Sequence, residues 1–449
     1  MKIHLIGIGG IGVSALAQYY LSKGHEVSGS DLVTSEIMDF LKAKGIKINI
    51  NPKESPDLVV YSPAVKKDNP ELKFYREKGV KCLSYPEALG EITKEYFTIA
   101  IAGAHGKSTT TAMIALVLAK AGLDPTVVVG TRVKEFGNSN FRAGKSKLLV
   151  IEACEYDSSF LRYSPKIIVV TNVDKEHLDY FKTFANVKKA FKDFIARLPA
   201  NGFLVFNEDD KNINKIFNFQ GSIFNKFSIK QFSIKQKEAG KLKKILRIPG
   251  EHNVSNALAA LKVARILGVP DEISFKALSE FRGTWRRFEI KKGRAGNKKI
   301  TAVSDYGHHP TEVLATLKAA REKYPKNPPS SRLIGTVARQ RKIWCVFQPH
   351  QRQRTYYLFN DFVRIFRQAQ DSYFIDRIIV TDIYDVAGRE KRGISKKINS
   401  QKLVEKIDRK DIIYLPLADI ESFVKDNIKN GDVLIIMGAG DIYKLTDEF

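Results

Sequence analysis

Two glycine-bearing turns, each set between an apolar run and a helical stretch, offer the clearest chemistry in this 449-residue chain. In FTIAIAGAHGKSTTT, Gly103, His105, Gly106, Lys107 and Ser108 follow a strand, and a helix is expected from Thr109 onward. Such a turn points backbone N–H groups and one lysine at the β- and γ-phosphates of a nucleotide, and the hydroxyl of Ser108 or Thr109 can join a Mg²⁺ shell. Ile101 stands where a longer phosphate loop has its leading glycine, so a shorter variant is expected. The other turn is GIGGIG, in which Gly9, Gly10, Ile11 and Gly12 lie directly after a strand and before a helix. There the backbone can approach a diphosphate at a helix N-terminus. Asp31 ends the next strand, about 20 residues on, where an acidic residue accepts from a ribose or sugar hydroxyl. A nicotinamide-binding fold also fits this second pattern, with a purely structural tight turn as the weaker alternative.

A nucleotide-bound cation needs hard oxygen ligands at neighbouring strand ends, and LLVIEACEYD brings Glu152 and Glu155 to such a place. The following strand, IIVVTNVDKEHLDYF, ends in Asn172, Asp174, Glu176, His177 and Asp179. A histidine in a loop is most often a plain surface residue, but these acidic neighbours favour a place near metal or substrate.

These turns need strands to hold them. KIHLIG, LVVYS, FTIAIAG, LLVIEA, KIIVVTN, KIWCVF, RIIVTDIY and DVLIIMGAG alternate with amphipathic helical stretches, the pattern of parallel sheets covered by helices, so the fold class is α/β. The strand, glycine turn, helix unit restarts near Tyr96, and FEIKKGRAGNKKITAVSD reads as a hairpin feeding a further sheet. Three domains are expected, 1–93, 94–290 and 291–449, in keeping with the chain length. The doublet FSIKQFSIKQ reads as an exposed hairpin or a lysine-studded edge strand.

Composition narrows the class. With 43% hydrophobic and 27% charged residues the chain is globular, and no apolar run is long enough to cross a bilayer. A cytoplasmic location is expected, since the N-terminus begins a strand at once. Cys82, Cys154 and Cys345 lack metal-ligand spacing and read as small buried hydrophobes. The net charge of +25 would draw polyanions of any kind, but its clusters, Asn212 to Arg247 and Lys323 to Lys342, carry no nucleic-acid-binding motif. The Pro-Pro-Ser-Ser stretch in the second cluster reads as a surface loop without chemistry.

Together, GAHGKSTTT, EACEYDSSF, TNVDKEHLDYF, GEHNVSNALAA, WRRFE, DYGHHPTEV, FQPH and MGAGDIY resemble the Mur ligase family, in order and over essentially the whole chain. The resemblance implies three domains: an N-terminal Rossmann-like domain for a UDP group, a central ATPase of the phosphate-loop type, and a C-terminal Rossmann-like domain. It implies ATP and Mg²⁺ as cofactors. DYGHHPTEV and FQPH point to the alanine-adding branch, with UDP-N-acetylmuramate, L-alanine and ATP as small-molecule substrates and an acyl-phosphate intermediate. Neither nucleic acid nor a membrane span is expected, and the oligomeric expectation is a monomer or weak homodimer.

The resemblance also implies roles, residue by residue. Lys107 neutralises the transferred phosphoryl group, with Ser108 and Thr109 beside the metal. Glu152 is the principal Mg²⁺ ligand with Glu155 the fallback, and His177 a ligand of a second Mg²⁺ or a contact to the incoming amino acid. Asn253 and Asn256 contact adenine, Arg287 a phosphate, Asp305 the ribose. Asn140 belongs to the sugar site, and Tyr306, His308, His350 and Arg354 meet the reacting groups.

Read singly, Asn253 and Asn256 could simply cap a helix, Arg287 could be a surface ion pair, and His308 and His309 could begin a helix at Pro310. The chain departs from the family pattern at Ala104, Ser108, Cys154 and Gln351, the last leaving part of a carboxylate grip to Arg352 or Arg354. Three rivals stand beside this reading: a tripeptide-adding relative, a nicotinamide-dependent oxidoreductase that leaves Lys107 without a task, and a basic nucleic-acid-binding ATPase.

Overall fold

A computed structural model describes residues 1–48, 55–216, 226–326, 340–386 and 397–449. The core of the expected Lys323 to Lys342 loop and part of the Asn212 to Arg247 cluster lie outside the described residues. Three sheets organise the chain. The first contains β1 (Lys2–Ile6), β2 (Glu26–Ser30), β3 (Lys47–Ile48), β4 (Leu58–Tyr61) and β5 (Lys81–Ser84), all parallel, in the order β3-β2-β1-β4-β5.

The second contains β6 (Phe97–Ala102), β7 (Thr126–Val133), β8 (Ser139–Arg142), β9 (Leu148–Glu152), β10 (Ile167–Val170), β11 (Phe203–Asn207) and β12 (Ser228–Phe232). Their order is β12-β11-β10-β6-β9-β7-β8, with only β8 antiparallel to its neighbour. The third contains β13 (Glu289–Ala295), β14 (Lys298–Asp305), β15 (Ile343–Phe347), β16 (Arg377–Val380), β17 (Ile412–Tyr414) and β18 (Val433–Met437), in the order β13-β14-β18-β15-β16-β17. Here the β13–β14 hairpin supplies the antiparallel pair.

The central strands are apolar runs because helices cover both faces. Ile167–Val170 and Val433–Met437 are wholly buried. Ile101 pairs with Val169 on one side and Glu152 on the other, with no exposure. Burying such a side chain is worth about 1.5–3 kcal/mol, so the strand continues through the position where a longer phosphate loop would begin.

Two details qualify the sequence reading. The helix after the phosphate loop starts at Lys107, two residues earlier than expected, because Gly106 takes a left-handed conformation and serves as its N-cap. The FSIKQ doublet takes the expected edge-strand form over its first half, β12, while its second half is a turn before the helix Lys237–Ile245. Of the three cysteines, Cys345 is fully buried in β15, whereas Cys82 and Cys154 are half-buried.

The described residues form two compact units, one of Met1–Glu176, Thr183–Leu246 and Ser255–Thr284, the other of His177–Lys182, Arg247–Val254 and Trp285–Phe449. The first unit therefore holds both the first and the second sheet. Asn140, on β8, joins them. Its amide donates to Ile11 O and to Ser14 Oγ (2.9 Å), on the helix Ile11–Ser22, and its Oδ1 accepts from Gln18 Nε2 (2.8 Å). Ser139 Oγ completes the seam by donating to Gln18 Oε1 (3.0 Å).

All four side chains, of Ser14, Gln18, Ser139 and Asn140, are buried, so each polar atom depends on its partner. Asn140→Ala strands several of them at once, and we expect it to lower the unfolding free energy by about 1–3 kcal/mol, measured by urea denaturation.

Candidate functional site

The phosphate loop sits where the order of the second sheet reverses, between the ends of β9 and β10, a place where open parallel sheets bind ligands. The chain holds it there with Thr171 and Asn172. Asn172 Oδ1 accepts from His105 N (2.8 Å), while its amide donates to His105 O (2.9 Å), which also accepts from Thr171 Oγ1 (2.6 Å). His105 itself turns its Nε2 to Asp174 Oδ2 at 3.2 Å.

The clamp is tight enough that only glycine fits at two points. A Cβ on Gly103 would lie 2.0 Å from Thr171 Oγ1, and one on Gly106 would lie 2.5 Å from Asn256 Oδ1. Asn256 also accepts from Thr110 Oγ1 (3.1 Å), so its side chain braces the first helical turn.

Four residues named from the sequence converge on this loop. The Lys107 ammonium donates to Gly103 O, to Ala104 O (3.2 Å) and to both oxygens of Glu155 (3.2 and 3.0 Å). Burial by itself would depress the lysine, but the Glu155 carboxylate, helped by Glu152, outweighs it and holds the ammonium above its usual pKa. Glu152 is engaged differently: its Oε2 accepts from Ser108 Oγ (2.8 Å) and Gly130 N (2.9 Å). One acid therefore serves the ammonium and the other the hydroxyl. Thr109 is buried in the same turn.

In the first sheet Gly10 caps the helix Ile11–Ser22 and Asp31 Oδ2 accepts from Gly9 N (2.8 Å). Asp31 thus shapes the glycine turn itself.

In the second unit the motifs WRRFE, DYGHHP, FQPH and MGAG gather at the C-terminal ends of β14, β15 and β18. Buried Arg286 donates to Gly438 O and Gly440 O (3.0 Å), tying WRRFE to the last motif. Asp305, for which the resemblance implies a ribose contact, is engaged within the protein. Its carboxylate accepts from Phe288 N (2.8 Å), Gly307 N (2.8 Å) and Thr316 Oγ1 (3.2 Å), and burial pushes its pKa up. Arg287 pairs with Glu312 (3.2 Å) and lies over the Tyr306 ring.

His308 donates from Nδ1 to Tyr306 O (3.1 Å), so in its neutral form Nε2 is the basic nitrogen. His350 is the reverse case. Arg354 donates to its Nδ1 (3.0 Å), and because a guanidinium cannot accept, neutral His350 carries its proton on Nε2. The two rings lie 5.8 Å apart, and Tyr384 stacks on His350 at 5.6 Å.

The whole chain aligns with the UDP-N-acetylmuramate–L-alanine ligase of Acetivibrio thermocellus, 40% identical over 95% of that protein, and with the one from Caldanaerobacter subterraneus subsp. tengcongensis, 41% identical over 97%. Family models match in series: the Mur ligase family catalytic domain over 2–97, the Mur ligase middle domain over 101–264, and the Mur ligase glutamate ligase domain over 286–440. The chain belongs to the Mur ligase family. Its fold overlays a crystal structure of UDP-N-acetylmuramate–alanine ligase from Thermotoga maritima with a TM-score of 0.77, at 26% identity and with 100% and 98% of the two chains covered. A murein peptide ligase from Psychrobacter arcticus shares the fold at a TM-score of 0.67 and 22% identity. The three sheets are the three domains of a Mur ligase.

Two further expected residues of this Mur ligase, Asn253 and His177, lie in the second unit. Asn253, in the first turn of the helix Glu251–Ile266, donates to Pro249 O (2.6 Å). His177, at positive φ, caps the short helix Leu178–Phe181, which packs on the helix Arg352–Tyr357 of the second unit. Thr171, Tyr384 and Arg286 were not singled out from the sequence. Arg286 sits in the quoted WRRFE motif and Thr171 opens the quoted TNVDKEHLDYF, while Tyr384 ends the quoted run RIIVTDIY, so each was within reach of the motifs without being picked out.

Gly103→Ala should drive a methyl group into Thr171. We expect a lower melting temperature together with loss of ATP binding by equilibrium dialysis, whereas a loop indifferent to that contact would leave both unchanged.

Proposed function

We propose that this Mur ligase couples L-alanine to the lactyl carboxylate of UDP-N-acetylmuramate, with ATP, for peptidoglycan precursor synthesis. The observation that carries the reading is full-length identity of about 40% to several ligases of that name. The phosphate loop geometry supports it, because a nicotinamide enzyme has no use for Lys107 ringed by oxygens.

A carboxylate is a poor electrophile, so amide formation in water needs a better leaving group. The lactyl carboxylate oxygen attacks the γ-phosphorus, the β–γ bridging P–O bond breaks, and ADP leaves. The amine of L-alanine then attacks the acyl carbon, a C–N bond forms, the C–O bond to phosphate breaks, and the amine gives up a proton. Lys107 offsets charge on the transferring phosphoryl group. Ser108 and Glu152 offer hard oxygen donors 2.8 Å apart beside the loop, a donor set that suits Mg²⁺. When bound there the ion neutralises phosphate charge. Glu155 holds Lys107 charged and in place.

His308 presents a basic Nε2 and is the residue we assign to the amine proton, with Tyr306 fixing its ring. His350, held by Arg354, presents Nε2–H as a donor to the amino acid carboxylate. His177 is the alternative acceptor.

Phosphate release from MgATP should require both UDP-N-acetylmuramate and L-alanine, and should vanish in Lys107→Ala. Glycine, L-serine and a tripeptide are the comparison acceptors. Release with the tripeptide alone would move the chain to a peptide-adding activity, and release independent of the sugar nucleotide would sink the proposal.

A further inference from the structure

We propose that Tyr85 is a substrate-binding residue whose phenolic hydroxyl donates a hydrogen bond to the sugar nucleotide beside the diphosphate turn, steering its acid arm. The inference rests on the ligase reading above and adds a contact that neither glycine turn supplies.

The position of Tyr85 is fixed from three sides. Glu87 accepts from Ser84 N (2.9 Å) and Ser84 Oγ (2.7 Å), a capping box that starts the helix Tyr85–Lys94 at one defined point, with Pro86 in its first turn. Tyr85 is the first residue of that helix. Further along, the helix presses on the second sheet's layer: a Cβ on Gly90 would stand 2.7 Å from Arg162 O, and Thr93 Oγ1 accepts from Ser164 N (3.0 Å). The ring then reaches back to the first glycine turn. A Cβ on Gly12 would lie 2.9 Å from Cζ and 3.0 Å from Cε2 of Tyr85, so the hydroxyl-bearing end of the ring covers the last glycine of GIGGIG.

The hydroxyl itself is left over. It makes no hydrogen bond to any described residue, and with Tyr85 only half-buried it is open to a ligand oxygen. Burial first, and the Glu152 carboxylate second, push the phenol well above its usual pKa. The group is therefore a donor at neutral pH, and it lies within the field of the acid that faces Ser108. A sugar nucleotide with its diphosphate at Gly9–Gly12 and its carboxylate bound for the phosphate loop presents phosphate and sugar oxygens to this donor. All these residues belong to one compact unit.

Tyr85→Phe removes only the oxygen and keeps the ring that packs on Gly12. We expect the KM for UDP-N-acetylmuramate, and its dissociation constant by calorimetry without ATP, to rise about three- to tenfold, the worth of one hydrogen bond. KM for ATP and for L-alanine should stay unchanged, and retained ADP binding will report an intact fold. An unchanged sugar-nucleotide affinity in Tyr85→Phe, with the wild type binding normally, overturns the inference and leaves the ligase reading standing. Equal losses for all three substrates would reduce Tyr85 to a structural filler. A wild type that does not bind UDP-N-acetylmuramate removes the ligase reading, and this inference with it.

Discussion

An ammonium group taken out of water must be given oxygens, and the geometry around Lys107 follows from that demand. Leaving such a charge without its partner costs about 3–5 kcal/mol, comparable with a large share of a domain's net stability. Glu155 answers with both carboxylate oxygens, and the loop answers with the carbonyls of Gly103 and Ala104. Those carbonyls can turn towards the lysine only if the loop bends sharply, which is why Gly103 and Gly106 sit at positive φ with no room for a side chain. The bend in turn exposes His105's backbone groups, and Thr171 and Asn172 take them up.

Strain elsewhere follows the same logic. Non-glycine residues at positive φ include Asp157, Ser158, His177 and Gln351, inside or beside motifs that follow a strand end, and Arg286 and Phe288 in WRRFE just before β13. Every such residue costs energy of order 1–3 kcal/mol and persists only where its surroundings over-determine it. At Phe288 the determinant is visible: its N–H is held by Asp305, and Tyr306 N donates to Arg286 O (2.6 Å), so the WRRFE and DYG segments fix one another. At Gln351 it is the backbone of Tyr384, which accepts from Gln351 N (2.8 Å).

The fold was legible where the physics is local. Apolar runs of four to eight residues, glycine turns and helical periodicity placed the principal strands and both phosphate-type loops, because burial and turn chemistry act over a few residues. The site was legible as a set of motifs and illegible as a set of bonds. Gln18 and Asn140 are 122 positions apart, His105 and Asn172 67, and nothing in either segment announces its partner. Asp305 illustrates the difference. The resemblance implies a ribose contact for it, but the bonds by which it organises two backbone turns could not be read from its motif. The early helix start at Lys107 is a similar case, since the left-handed Gly106 could be read as part of the loop or as its cap.

The seam through Asn140 bears on how two anionic substrates are aligned. Asn140 grips Ile11 O and Ser14 Oγ, in the first turn of the helix that follows the GIGGIG turn, from a strand of the sheet that carries the phosphate loop. The helix Tyr85–Lys94 makes a second junction through Gly90 and Thr93. With both junctions inside one compact unit, the separation of the two glycine turns is set by buried hydrogen bonds and close backbone contacts, and binding energy need not be spent on finding it. That arrangement suits a first step in which a carboxylate on one ligand must meet a phosphorus on another. It also accounts for the protein contacts of Asn140, which hold the two glycine turns at a fixed distance.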